Sequence, residues 1–82
     1  MTMMEFYCLT ESEQINMLYR HGVYVGKRKS GKFAVLLYQL DSFYSEVFYY
    51  NYRRHIYKIR CSDSMNILDP YLEQIAVEHL VS

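Results

Sequence analysis

The stretch FAVLLYQLDSFYSEVFYY, residues 33–50, decides the fold of this chain. Two runs of aromatic and β-branched residues flank the pair Asp41-Ser42, and such runs at a period of two predict strands. If Asp41-Ser42 is a two-residue loop, Leu40 lies opposite Phe43 in an antiparallel hairpin. The same register pairs Tyr38 with Ser45, Leu36 with Val47 and Ala34 with Tyr49.

The register divides the hairpin into two faces. Glu46 indicates which face is buried, because an ionised carboxylate is costly to bury without a partner. The face without Glu46 is therefore predicted to be the core face, covered by helices, with Leu36, Leu40, Phe43, Val47 and Tyr49. The second face then carries Phe33, Val35, Leu37, Tyr44, Glu46, Phe48 and Tyr50.

Strands are also predicted on both sides of the hairpin. Val23 to Arg28 precedes it, joined to Lys32 to Leu40 by a three-residue loop with Gly31 in the left-handed conformation. His55 to Cys61 follows it, after a turn at residues 51–54. Gly26 marks either a bulge or a close approach of a helix. The four strands form an antiparallel meander.

Helices are predicted before and after the strands. Thr10-Glu11-Ser12-Glu13 is a capping box that opens a helix from about Glu11 to His21, with Gly22 as a left-handed C-terminal cap. Thr2 and Glu5 repeat the pattern ahead of a short turn. In the tail, Ser62 or Ser64 caps one turn, and Asp69-Pro70 is a stronger helix start. The fold class is α+β: an N-terminal helix, a four-stranded antiparallel β-meander and a short C-terminal helix.

Length and composition favour a single folded domain over residues 1–82. The chain has 82 residues, of which 51% are hydrophobic and 22% charged, a composition typical of globular proteins. It contains no apolar run near the roughly 18 residues that cross a bilayer, and acids occupy its start. We therefore expect a cytoplasmic protein without membrane contact. Cys8 and Cys61 are predicted to be buried thiols.

The charges are unevenly placed although they sum to zero. All nine Lys and Arg lie between Arg20 and Arg60, where the only acids are Asp41 and Glu46. Basic side chains interleaved with tyrosines, Tyr57 and Arg60 among them, are typical of sheets that bind single-stranded nucleic acid. The candidate contact surface comprises Tyr44, Tyr50, Tyr52, Arg53, Arg54 and Lys58. Solubilising side chains on an ordinary sheet explain the same pattern.

The second face predicts self-association. Phe33, Val35, Leu37 and Phe48 form a contiguous apolar patch, which a monomer seldom exposes. Either a helix covers this patch or a partner does. Because only two short helices are available, a homodimer formed through the sheet is expected.

Sequence motifs for catalysis are missing. The chain has no phosphate-cradling Gly-rich loop, no zinc-type cysteine spacing and no nucleophile motif. His21, His55 and His79 are scattered along the sequence. We expect no enzyme activity, no catalytic residue, no metal site and no cofactor.

Three segments carry a resemblance to known proteins. LYQLDSFYSEVFYY (37–50) and LDPYLEQI (68–75), with EQINMLYRHGVYVGKRK before them, resemble a group of small bacterial proteins of unassigned function. The resemblance implies a bacterial, cytoplasmic, stand-alone domain and supplies no site residue.

The leading hypothesis is a small non-enzymatic interaction domain that self-associates through its sheet. Single-stranded nucleic-acid binding on the Tyr- and Arg-rich sheet face is the alternative. A different protein is a further possible partner.

Overall fold

The computed structural model describes residues 1–50 and 55–72 and has the predicted α+β architecture. Four antiparallel strands form one sheet in which each strand pairs with the next along the chain, so the first and the fourth strands are its edges. No helix within the described residues is long and apolar enough to cross a membrane. The elements are α1 (Met3–Tyr7), α2 (Glu11–His21), β1 (Val23–Ser30), β2 (Phe33–Leu40), β3 (Phe43–Tyr50), β4 (Ile56–Ser62) and a 3₁₀ helix (Met65–Tyr71).

Both N-terminal helices begin with the predicted capping boxes. The Thr10 hydroxyl accepts a hydrogen bond from the Glu13 amide, and the Glu13 carboxylate accepts one from the Thr10 amide. Thr2 and Glu5 make the same exchange at the start of α1. These bonds hold the pKa of Glu5 and Glu13 below the ordinary value, because they stabilise the ionised carboxylates.

The prediction that Gly22 caps α2 in the left-handed conformation is wrong. Gly22 is extended, with φ −77° and ψ 155°, and its amide donates to the Leu18 carbonyl at 2.9 Å. A Cβ at this position would lie 2.6 Å from the same carbonyl oxygen. Glycine is required here because the Leu18 carbonyl lies too close for a side chain, and not because of a positive φ. The chain turns directly into β1 at this point.

The hairpin register is confirmed at all four predicted pairs between β2 and β3. The connection at Asp41-Ser42 has two residues, and Asp41 takes a φ of 53°, which its short polar side chain tolerates. Gly31 has the predicted positive φ, of 58°. Its loop contains two residues instead of three, because β1 continues to Ser30 and pairs it with Phe33.

Each edge strand carries an irregularity. In β1 the register shifts between Tyr24 and Gly26, which agrees with the bulge that was one of the two alternatives for Gly26. In β4 the register shifts opposite Phe48 and Tyr49, which leaves Tyr57 as the extra residue. A bulge reverses the side on which the following residues point, and this decides where the Tyr57 ring lies.

The core face is covered by α1 and α2, as predicted. Phe6 and Leu18 from the helices pack against Leu40, Phe43 and Val47 of the sheet, and all five are essentially buried. The Phe6 and Phe43 rings lie 5.5 Å apart in a tilted contact, a favoured aromatic geometry.

The second face is covered at one end by the 3₁₀ helix. Ser64 caps this helix by accepting a hydrogen bond from the Asn66 amide, as the sequence allowed. Asp69 and Pro70 lie inside this 3₁₀ helix. The helix predicted to begin at them extends over residues 73–82, which lie outside the described residues. Ile67 and Tyr71 are buried against Leu37.

We predict that Leu18→Ala lowers the free energy of unfolding by about 2–5 kcal/mol, because it removes buried methyl groups and leaves a cavity under α2. Urea unfolding followed by circular dichroism measures the loss. Asn16→Ala, on the exposed side of the same helix, is the matched control and is expected to change stability by less than about 0.5 kcal/mol. Equal effects of the two variants would contradict the packing described for α2.

Candidate functional site

The second face has two parts. Its closed end lies under the 3₁₀ helix and contains Leu37, Tyr44 and Glu46. Its open end, toward the Gly31-Lys32 turn, carries four aromatic side chains that we call the ring cluster. The ring cluster consists of Phe33, Phe48, Tyr50 and Tyr57.

Glu46 joins the sheet to the 3₁₀ helix. It lies on the predicted face, yet it is only 1% exposed, so the expectation that this face leaves it open to water is wrong. The Tyr71 hydroxyl donates to Glu46 Oε2 at 2.7 Å, and Arg28 donates to the same oxygen through Nε at 3.1 Å. Arg28 Nη2 is 3.0 Å from that oxygen as well. The carboxylate is buried because these donors replace its water.

Tyr71 is a neutral donor in this arrangement. Burial raises the pKa of its hydroxyl, and the adjacent Glu46 carboxylate raises it further. Arg60 contributes less to Glu46: its Nε is 4.0 Å from Oε1, and its side chain is 58% exposed. The hydrogen bonds from Tyr71 and Arg28 therefore hold the closed end together.

The ring cluster centres on Phe33. The Tyr57 ring stacks on Phe33 with centroids 4.5 Å apart and planes 19° apart. Tyr50 and Phe48 contact Phe33 at 5.2 Å and 6.2 Å. Phe48 is nearly buried, whereas Tyr57 is 50% exposed. The result is a braced aromatic surface with one ring open to solvent.

Three cations lie over these rings. Lys58 Nζ is 4.8 Å from the centroid of Phe48, and Lys32 Nζ is 5.7 Å from that of Phe33. The Arg28 guanidinium is 5.7 Å from the Phe48 centroid while it is bonded to Glu46. Cations at such distances are attracted by the ring faces. The open end therefore combines stacking surface with positive charge.

The structure separates the predicted contact residues. Tyr50 and Lys58 belong to the ring cluster and its cations, whereas Tyr44 packs in the closed end beside Leu37. Tyr52, Arg53 and Arg54 lie outside the described residues.

Sequence reasoning did not place Lys32 and Arg28 beside these rings. The alternation of the predicted strand Lys32 to Leu40 places Lys32 with Ala34 on the core face, whereas in the structure Lys32 lies in the turn before β2 and its ammonium group lies over Phe33. Arg28 and Phe48 are brought together across β2, a contact that the local pattern does not reveal.

The predicted self-association patch is mostly buried within the chain. Val35 and Leu37 are 0% exposed and Phe48 is 5% exposed. Phe33, the fourth residue, is half-buried under Tyr57. The 3₁₀ helix, Arg28 and the ring contacts therefore cover the apolar patch that was expected to be covered by a partner.

The cysteines differ in environment. Cys8 is exposed at the end of α1, so its predicted burial is wrong, whereas Cys61 is half-buried. Burial raises the pKa of the Cys61 thiol, which lies 3.3 Å from the Ser45 hydroxyl. Such a thiol is mostly protonated at neutral pH and is a poor nucleophile. The described residues contain no group of three or more His, Cys, Asp or Glu that could hold a metal ion.

A shallow groove lies between α2 and β4. Its volume is about 570 Å³, and Ile15, Tyr19 and Ile56 line it. Glu11 and Glu13 stand at its edge, so its charge disfavours an anionic ligand. The groove and the ring cluster are chemically distinct surfaces.

Comparison with known proteins gives no family or relative. No protein-family model matches the chain, and neither does any curated protein or solved structure. A functional hypothesis therefore has to rest on the geometry of the described residues.

We predict that Tyr71→Phe lowers the free energy of unfolding by about 1–3 kcal/mol, because a buried carboxylate loses one of its donors. Tyr57→Phe removes an exposed hydroxyl from the same sheet face and is the matched control, with an expected change below about 0.5 kcal/mol. Urea unfolding at neutral pH measures both. A Tyr71→Phe variant as stable as the parent would contradict the role given to this hydrogen bond.

We also predict a loss of stability in alkali. Burial raises the pKa of Tyr71 and Tyr49 in the folded state. The folding stability that their protonated hydroxyls contribute is therefore fully present below the ordinary tyrosine pKa of about 10. It is lost as the pH rises from there through the folded-state pKa. The urea midpoint should fall when the pH is raised from 8 to 10.5, and Tyr71→Phe should reduce that fall. An undiminished fall in Tyr71→Phe would contradict this assignment.

Proposed function

We propose that this chain is a non-enzymatic binding domain that takes single-stranded nucleic acid on the ring cluster. The observation that carries the proposal is the half-exposed Tyr57 ring, stacked on Phe33 with the Lys58 and Lys32 ammonium groups over the same cluster. Aromatic rings that stack bases, with cations that meet phosphates, are the parts such a surface requires.

The stacking ring is held in place before a ligand arrives. Phe33 supports one side of Tyr57, and Tyr50 meets its edge at 5.7 Å. A braced ring loses little conformational freedom on binding, so more of the stacking energy appears as affinity. Base stacking on such a ring contributes about 1–3 kcal/mol.

The charge of the open end is locally positive even though the chain is neutral overall. Glu46 is the acid that the pairing of β2 with β3 places on the second face, and its charge is matched by Arg28. The acids of α1 and α2, Glu5, Glu11 and Glu13, lie on helices that cover the opposite face. Zero net charge weakens long-range attraction to phosphate, so the proposed binding depends on short-range contacts.

Self-association through the sheet, the leading hypothesis from the sequence, has less support from the geometry. Three of its four residues are buried within the chain. Both edge strands carry bulges, and the Tyr7 hydroxyl donates to the Cys61 carbonyl of β4 at 3.3 Å. Bulges and blocked carbonyls discourage edge-to-edge pairing. The bacterial and cytoplasmic assignments rest on the sequence expectations alone.

We predict that the protein binds fluorescently labelled oligo-dT and oligo-rU 12-mers at low salt and releases them as salt is raised. Tyr57→Ala should weaken binding roughly tenfold, in line with the loss of one stacked base. Lys58→Gln should weaken it and lower the slope of log affinity against log salt by about 0.7. Lys29→Gln makes the same charge change on the core-face side of β1, opposite Ala34, and should have little effect on the slope. Fluorescence anisotropy measures all four proteins.

Two results would overturn the proposal. One is the absence of binding to both oligonucleotides at low salt. The other is a salt-resistant dimer, free of nucleic acid in light scattering, that becomes monomeric in Tyr57→Ala. That second result would assign the ring cluster to self-association.

A further inference from the structure

The 3₁₀ helix is docked on the sheet through two buried side chains. Ile67 is 6% exposed and Tyr71 0%, and both pack against Leu37. Met65 and Leu72, at the two ends of the helix, are exposed. Seven residues are long for a 3₁₀ helix, whose hydrogen bonds have poorer geometry than those of an α-helix. An element of this kind opens at a lower free energy than the central strands of a sheet.

Arg28 connects this helix with the ring cluster. Its guanidinium lies 5.9 Å from the centroid of Tyr71 and 5.7 Å from that of Phe48. It also donates to Glu46 Oε2, the oxygen that accepts the Tyr71 hydrogen bond. One side chain therefore touches both the last buried residue of the 3₁₀ helix and a ring of the cluster. The position of Arg28 depends on whether the 3₁₀ helix is docked.

The contacts continue from Phe48 to the exposed ring. Phe48 meets Phe33 edge-on at 6.2 Å, and Tyr57 stacks on Phe33. While the 3₁₀ helix is docked, Arg28 is held over Phe48. When the helix lifts, Glu46 is hydrated and its bond to Arg28 weakens, so Phe48 loses part of its cover. The docked helix therefore favours the arrangement of rings in which Tyr57 is braced.

We infer that docking of the 3₁₀ helix and ligand binding on the ring cluster favour each other, with Arg28 as the positioning residue between them. This inference rests on the proposed function and deepens it by naming what regulates the site. The element with two states, docked and lifted, is the 3₁₀ helix. Coupling between two sites is reciprocal. A ligand on the rings therefore lowers the population of the lifted helix by the factor by which lifting weakens the ligand.

Hydrogen exchange of the wild-type protein, with and without saturating oligo-dT 12-mer, measures this factor. The Ile67 and Leu72 amides report on the 3₁₀ helix, because they donate to the Ser64 and Asp69 carbonyls. In the free protein they should exchange faster than the amides that join β2 and β3. Saturation with oligo-dT should slow them about fivefold or more. Unchanged exchange in a protein that binds oligo-dT would overturn the inference and leave the proposed function standing.

Arg28→Lys tests the route between the two sites. Lysine keeps the charge beside Glu46 but lacks the planar guanidinium that lies against two rings. Oligo-dT should still bind this variant but should no longer slow exchange of the 3₁₀ helix to the same extent. Slowing equal to that of the wild type would overturn the positioning role of Arg28.

Ile67→Asp tests the reciprocal effect. A carboxylate at this buried position lifts the 3₁₀ helix, which should weaken oligo-dT binding about fivefold or more. Met65→Asp adds the same charge at an exposed position of the same helix and is the matched control. Circular dichroism checks that the sheet is folded, and Ile67→Ala replaces Ile67→Asp if it is not. Equal affinities of the buried and exposed variants would overturn the inference, whereas absence of binding to the wild-type protein would overturn the proposed function as well.

Discussion

The buried carboxylate of Glu46 is the constraint on which the second face depends. A charge removed from water is stable only when donors replace the lost hydration, and here Arg28 and Tyr71 supply them from β1 and the 3₁₀ helix. One carboxylate thus ties together the edge strand, the sheet centre and the last described helix. Removing Arg28 leaves the carboxylate without its matching charge, and removing the Tyr71 hydroxyl takes away one of its hydrogen bonds, so the three elements are energetically coupled.

The ring cluster is shaped by the same arrangement. Arg28 extends from Glu46 over the Phe48 ring, so the closed end and the open end share a side chain. At the open end, the bulge in β4 places the Tyr57 ring against Phe33. The strict alternation of β4 would have placed Tyr57 with Ile59 and Cys61 on the core face. A local irregularity therefore creates the exposed ring on which the proposed contact surface depends.

The two faces of the sheet show how a neutral chain can offer a positive surface. The helices that cover the core face carry Glu5, Glu11 and Glu13, while Lys58 and Lys32 meet the rings on the other face, whose 3₁₀ helix carries Asp69. Because charges act strongly only over a short range at physiological salt, overall neutrality does not decide what each face attracts.

The sequence by itself determined the strand number, the β2–β3 register and both N-terminal capping boxes. These depend on the side-chain period and on hydrogen bonds between residues three apart, such as Thr10 and Glu13. Only the tertiary structure decided that Glu46 is buried, because its donors lie 18 and 25 residues away along the chain. It also decided the extended conformation of Gly22 and the side taken by Tyr57, since close packing and strand bulges arise from contacts that no local pattern encodes.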